Sequence, residues 1–388
     1  MSSDNTDALV AEISPKKKIA TIIFYIGILC ELVVSFSGYM IGGYHEPVII
    51  VAGMGCFALK ILLDFDYKNP RAYALAGVMA AYGMICYFSQ HSALVLRVAL
   101  FVLAAQDQKP KDIIRVFFCG TLLGMVINGI LAAAGIHGAL TVTDTFRHVP
   151  ETRWTFGFIH PNGFAMFAFK LMVMGVYLYA DKMKKWMMLL YFAIFGAVLI
   201  LADSKMSLLA YGWVVLLTIV FVWFGKYSEK LLKAAGYLIL SIIAIFLIYS
   251  RVGGYFTGSP FGAKLWLYVQ FACSGRNMWS FNLMDSVNPT LLGVGKALET
   301  TEVGYVNTMY QEGIIFLLIF AVVAVWLVRY YSKRQDFLAI ILITGMLAYM
   351  VAEAFLPYFN KNIVWIMLAG IPFYAPGSAK VEKMKNKA

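Results

Sequence analysis

Lys16-Lys17-Lys18 runs straight into Ile19-Ala20-Thr21-Ile22-Ile23-Phe24-Tyr25-Ile26-Gly27-Ile28-Leu29-Cys30, and the apolar stretch carries on to Met40 without a small-residue cleavage site. A basic cluster followed by about twenty apolar residues reads as an uncleaved signal anchor that crosses a bilayer. The pattern then repeats. Further apolar runs near 47–66, 72–90, 92–106, 113–135, 161–180, 186–202, 206–224, 234–250, 305–328, 337–356 and 363–376 bring the expected spans to twelve, the fourth and twelfth being the shortest. The spacing predicts an all-α, polytopic helix bundle in which residues 1–388 form a single integral membrane domain.

Composition agrees. Of 388 residues, 61% are hydrophobic and only 14% charged, about half the charge a soluble chain uses to cover its surface. That excludes a secreted domain, a cytosolic enzyme and a disordered tail. The formal charge of +11 does not point to nucleic acid, because Lys and Arg fall in short clusters between apolar runs. With both termini cytoplasmic, twenty-one of the thirty-two basic residues lie on the inner side, eight on the outer side, and Lys60, Arg97 and Lys170 within spans. The positive-inside rule requires that distribution. Four cysteines sit inside apolar runs and Cys273 in a hydrophilic stretch, so neither a disulfide framework nor zinc spacing is present.

Two connections are long, 136–160 and 251–304, and both are extracytoplasmic in this topology. Long loops in compact proteins are functional or disordered, and these hold too many aromatics to be disordered. The first ends in Arg147-His148-Val149-Pro150-Glu151-Thr152-Arg153-Trp154-Thr155-Phe156-Gly157-Phe158-Ile159-His160-Pro161-Asn162-Gly163 and then enters a span. Arginine suits bidentate phosphate recognition, and a helix N-terminus adds free N–H groups and partial positive charge. The plainer alternative has Arg147 and Arg153 snorkelling to lipid headgroups. The second loop carries Ser274-Gly275-Arg276-Asn277-Met278-Trp279, Asn288-Pro289 and Gly293-Val294-Gly295, followed by Gly304-Tyr305-Val306-Asn307-Thr308-Met309-Tyr310-Gln311-Glu312-Gly313. Arg276 is the expected second phosphate ligand. Gly293-x-Gly295 reads as a turn, since no Lys-Ser/Thr pair follows it.

These two series resemble the O-antigen polymerase and O-antigen ligase superfamily, in which an Arg…Gly-Phe-x-His-Pro-Asn stretch enters a span and a Gly-Arg…Trp…Asn-Pro…Gly-x-Gly…Asn-x-x-Tyr…Gly series follows. The resemblance covers roughly residues 140–320. The family's Ser-Arg at a mid-chain outer boundary stands here as Asp203-Ser204-Lys205. The resemblance implies a GT-C-like bundle in the bacterial cytoplasmic membrane. It also implies glycosyl transfer without metal or cofactor, from an undecaprenyl-pyrophosphate-linked oligosaccharide to an acceptor sugar, as in polymerases of O-antigen, capsule or exopolysaccharide. A chain-length regulator protein is the implied partner. Negative charge grows on the pyrophosphate as the anomeric bond breaks, so fixed cations stabilise the transition state. Arg153, Arg276 and Lys205 are the expected clamp, with Arg147 an outer guide; Asn162, Trp279, Asn307, Tyr310 and Glu302 are secondary candidates. His160 is the candidate acceptor base, and a helix cap is its alternative role.

Ligases of the superfamily resemble one another in having His just before the later Asn, where this chain has Tyr305-Val306-Asn307. That favours a polymerase and leaves Asp285, Glu299 and Glu302 as further candidate bases. A ligase-like surface glycan transferase is the nearest alternative, and a polysaccharide flippase or transporter the next. Asp64-Phe65-Asp66 reads as a solvated helix end in preference to a metal-nucleotide motif. Arg97, Lys170 and Glu353 are ionisable residues in or near spans, which by default face a cavity or a partner.

Overall fold

The computed structural model describes residues 15–40, 46–64, 70–146, 149–272, 275–294, 302–351 and 353–371. Proline punctuates the chain: it opens α1 (Pro15–Met40), α3 (Pro70–Gln90), α5 (Pro110–Ala133), α6 (Pro161–Tyr179) and α10 (Pro260–Ala272). At the first helical position its missing N–H costs nothing. Side chains cap other starts. Ser228 Oγ accepts from Leu231 N at α9 (Glu229–Val252), and Asp336 Oδ1 from Ala339 N at α14 (Phe337–Tyr349). The remaining helices are α2 (Glu46–Leu63), α4 (Leu94–Ala104), α7 (Lys185–Leu201), α8 (Lys205–Thr218), α11 (Arg276–Ser286), α12 (Gly304–Gln311) and α13 (Ile314–Lys333).

Among the described residues, six helical segments are long and apolar enough to cross a membrane: α1, α5, α6, α8 with its π-helical continuation, α9 with its 3-10 continuation, and α13. Four shorter helices, α2, α4, α7 and α14, are also apolar. Large apolar side chains such as Ile22, Ile26, Leu123, Ile130, Leu238, Ile245, Leu318 and Val322 point outward. Water would not tolerate so wide an apolar exterior, whereas lipid does. Two helices, α6 and α14, are buried along most of their length and form the centre, α14 packing on α6, α8 and α9. The architecture is an all-α, membrane-embedded bundle.

Three expected spans take a different form. The run 305–328 is broken at Glu312-Gly313, where Gly313 adopts φ +95°, so α12 and α13 are separate helices. The run 337–356 stops being helical after Tyr349, and within 363–376 only a 3-10 turn, Trp365–Leu368, is seen, residues from 372 lying outside the described set. Between them the chain recrosses the bundle as irregular backbone. It begins where Gly304 N donates to Met350 O and ends where Gly370 N donates to Ala105 O beyond α4. Pro357 and Asn362 explain this: Asn362 Nδ2 donates to Leu356 O at 2.9 Å, and its Oδ1 accepts from Val364 N at 3.2 Å. Such side-chain bonds compete with helix formation, and irregular backbone survives at membrane depth only when protein covers it.

The connection 136–160, expected as a loop between spans, holds a hairpin. Thr141–Phe146 (β1) pairs antiparallel with Val149–Trp154 (β2), setting Val142 opposite Arg153. The connection 251–304 is mostly helical, holding α10 and α11. The described parts of both connections, the α7–α8 turn and the start of the segment after α14 lie at one end of the bundle, called here the loop face.

Candidate functional site

The hairpin delivers Arg153 into the protein, where it is 5% exposed. Its Nε donates to Ala202 O at 2.9 Å, and its Nη2 donates to Ala202 O and Asp203 O, each at 2.7 Å, and to Asn162 Oδ1 at 3.3 Å. Ala202 is the C-cap of α7, so the guanidinium sits where the helix carbonyls concentrate negative charge. Asp203, at φ +46°, turns the chain so that both carbonyls face the same cation. Arg153 thus ties β2, the start of α6 and the α7–α8 turn together.

His160 is the N-cap of α6: its Nδ1 accepts from Asn162 N at 3.1 Å, and the ring is otherwise exposed. A nitrogen that accepts the cap bond carries no proton, so Nε2 holds it. Taking a substrate proton on Nε2 would require moving that proton to Nδ1 and breaking the cap. The two roles expected for this residue compete for one atom.

Gly275, at φ +82°, turns the chain into α11 and sets Arg276 at its first position, 6% exposed. Its Nη2 lies 2.5 Å from Glu302 Oε2 and 3.5 Å from Glu353 Oε1. The two carboxylates differ. Glu302 has a side chain 45% exposed, whereas that of Glu353 is 14% exposed and its Oε1 is buried without a hydrogen bond. Burial pushes the Glu353 carboxyl up to about 8, against the pull of Arg276 and with a further push from Glu302; Lys361 and Arg153 pull more weakly. Glu353 therefore senses cations from both loops. Its backbone is fixed as well, because Gly304 packs directly on the carbonyls of Met350 and Glu353, leaving no room for a side chain.

Other expected residues fall around this centre. Lys205 Nζ stands 4.1 Å over the ring of Phe271, linking the start of α8 to α10. Trp279, on α11 with Arg276, is half exposed. Asn307 Nδ2 donates to Gln311 Oε1 at 3.1 Å, and Tyr310 OH donates to Val287 O at 2.7 Å, so both build the loop. Gly293, at φ +80°, lies against the carbonyl of Gln311 in a close backbone approach, and Gly295 lies outside the described residues. Asp285 accepts from Tyr255 OH and faces Arg251 at 3.9 Å. Arg147 and Glu299 lie outside the described residues. At the opposite end, Asp64 pairs with Lys60, whose Nζ also lies 3.0 Å from Asp107, and Asp66 lies outside the described residues.

A second polar cluster lies within the bundle. Arg97 donates through Nε to Glu31 Oε1 at 3.1 Å and through Nη2 to Oε2. Asn360 Nδ2 donates to Glu31 O and Oε2, each at 3.2 Å, while its carbonyl accepts from Lys170 Nζ at 3.0 Å. Lys170 also stands 4.8 Å over the ring of Phe167. Buried charges persist when paired and hydrogen-bonded, and here they pin the irregular segment that carries Glu353. Sequence reasoning did not reach Glu31, because one carboxylate in a long apolar run looks incidental; an ionisable residue inside a span is the signal to follow.

Among the described residues, no group of three His, Cys, Asp or Glu side chains is placed to hold a metal ion. No family model matches the chain, and no curated protein matches it.

Proposed function

We propose that this chain is a membrane polysaccharide polymerase. It transfers a glycan from undecaprenyl pyrophosphate to the acceptor sugar of a lipid-linked repeat unit. The observation that supports this is the convergence of two distant loops on one centre, where buried Arg276 faces Glu302 and Glu353 and buried Arg153 acts on Glu353 electrostatically. A buried guanidinium with an exposed carboxylate on it can exchange that carboxylate for a phosphate, and fixed cations in a water-poor site favour a leaving group that gains charge. In this reading Arg276 meets the pyrophosphate directly, displacing Glu302, while Arg153 shapes the floor and adds charge. Lys205 and Trp279 flank the entry. Purified protein given lipid-linked repeats should make polymer at an undiminished rate in EDTA; restoration by magnesium of an activity lost to the chelator would contradict the metal-free chemistry.

The proposal places the loop face outside the bacterial cytoplasmic membrane and both termini inside, from the distribution of basic residues. Thr143, Ser259 and Lys109 are exposed. Single cysteines at Thr143 and Ser259, in a chain without its native cysteines, should react with an impermeant thiol reagent in intact cells. Protection of both with labelling at Lys109 would invert the topology.

One observation favours a second reading. The chain of contacts Glu31, Arg97, Asn360 and Lys170 lies beside irregular backbone within the bundle, as binding sites of transporters do. A flippase would move lipid-linked glycan across a vesicle membrane and form no glycosidic bond in detergent, where a polymerase would still do so.

A further inference from the structure

Among the described residues, His160, Asp285, Glu302 and Glu353 are loop-face side chains with the chemistry to accept a proton, and the first three are engaged. His160 uses Nδ1 to cap α6. Asp285 is held by Tyr255 and Arg251 at the exposed edge. Glu302 is paired with Arg276 at 2.5 Å and its side chain is 45% exposed, so once the pyrophosphate displaces it the carboxylate turns to solvent. Glu353 differs: its Oε1 is buried, makes no hydrogen bond, and lies 3.5 Å from the same Arg276 nitrogen. A carboxylate oxygen left in that condition is costly unless something supplies a donor. It stands on rigid backbone, closed in by Gly304 and followed by the segment that Asn360 and Lys170 anchor.

We infer that Glu353 is the general base that takes the proton of the acceptor sugar hydroxyl, with Arg276 set between it and the donor pyrophosphate. This rests on the polymerase reading. As the hydroxyl oxygen forms its bond to the anomeric carbon, its proton passes to the Glu353 carboxylate. The bond from the anomeric carbon to the phosphate oxygen breaks, and its electron pair leaves on the pyrophosphate beside Arg276. Glu353 then returns the proton to water. Burial supports the assignment, since a carboxyl raised to about 8 is far more basic than an exposed one. The charged and titratable groups facing it are Arg276 from α11, Glu302 before α12, Arg153 from β2, Lys361 from the irregular segment and Tyr349 at the end of α14. Because the base must be ionised, the rate should rise as pH passes through the region of 8.

The test uses the full chain in detergent with undecaprenyl-pyrophosphate-linked repeat units extracted from cells that lack it. Glu353→Gln should slow single-turnover bond formation roughly a hundredfold or more, remove the rise with pH, and leave binding of undecaprenyl pyrophosphate within about twofold. Glu353→Asp should retain part of the rate with a shifted pH limb; should the Gln variant fail to fold, that shift decides, and an unchanged profile overturns the inference. A rate for Glu353→Gln within about threefold of wild type also overturns it, and a large loss in His160→Gln alongside would move the base to the helix cap. A wild-type chain that makes no polymer would instead remove the polymerase reading itself.

Discussion

Arg276→Ala should abolish polymer while single repeat units accumulate on their lipid, because it removes the one side chain that meets both carboxylates at the loop face. Two losses combine. A fixed donor aimed at developing charge is worth roughly a hundred- to a thousandfold in rate. Glu353 would also lose the cation that faces it at 3.5 Å and draws its carboxyl down, so the group would rise further and stay protonated, unable to accept a proton. Arg276→Lys should restore part of the rate, since an ammonium supplies charge without the planar fork. The double variant Arg276→Ala with Glu353→Gln should fold as well as Arg276→Ala alone near neutral pH, because the carboxyl is already protonated there, and it should remain inactive. Gel analysis of lipid-linked glycans reads activity, and thermal unfolding in detergent reads the fold. Polymer of normal length from Arg276→Ala would reject the clamp.

What the sequence made legible follows from which forces act locally. Apolar runs bounded by Pro and basic clusters identify α1, α5, α6 and α13, because a bilayer imposes length and hydrophobicity on any helix that crosses it. The same rule misleads at 363–371, where apolar composition is satisfied by burial in protein and the backbone is set by Pro357 and Asn362. The break at Glu312-Gly313 was readable, since a buried carboxylate and a glycine interrupt the run. So was the hairpin: Thr141-Val142-Thr143 is rich in β-branched residues suited to strands. The candidate site was half legible. Arg153, Arg276 and Glu302 stand in loops whose polarity draws attention, and the structure brings them to one centre. Glu353 was legible as an ionisable residue near the end of a span but not as part of this site, because the groups that act on it come from β2, α11 and the residues just before α12. Only the folded chain puts those elements side by side.

Arg153→Ala should also stop polymer formation, but by a route that Arg276→Ala does not share. Arg153 makes three bonds to the carbonyls of Ala202 and Asp203 and one to Asn162. Hydrogen bonds to a charged group are worth about 1.5–3 kcal/mol each, and stranded buried carbonyls add their desolvation cost, so truncation should destabilise the loop face by several kcal/mol. The consequences are spatially specific. Without the guanidinium, the end of α7 loses the charge that balances its helix dipole, Asp203 loses the reason for its left-handed turn, and β2 is released from the start of α6. Lys205, one residue beyond Ser204, would then leave its position over Phe271. Protease should cut Arg153→Ala in the hairpin or the α7–α8 turn at doses that spare wild type, and its unfolding temperature should fall, while Arg276→Ala should resist the same protease doses in these segments. Arg153→Lys should recover little, because one ammonium cannot span two carbonyls and Asn162 with the same geometry. If Arg153→Ala loses polymer yet keeps wild-type protease resistance and unfolding temperature, its role is that of a direct pyrophosphate ligand, and the floor of the site must be held by other contacts.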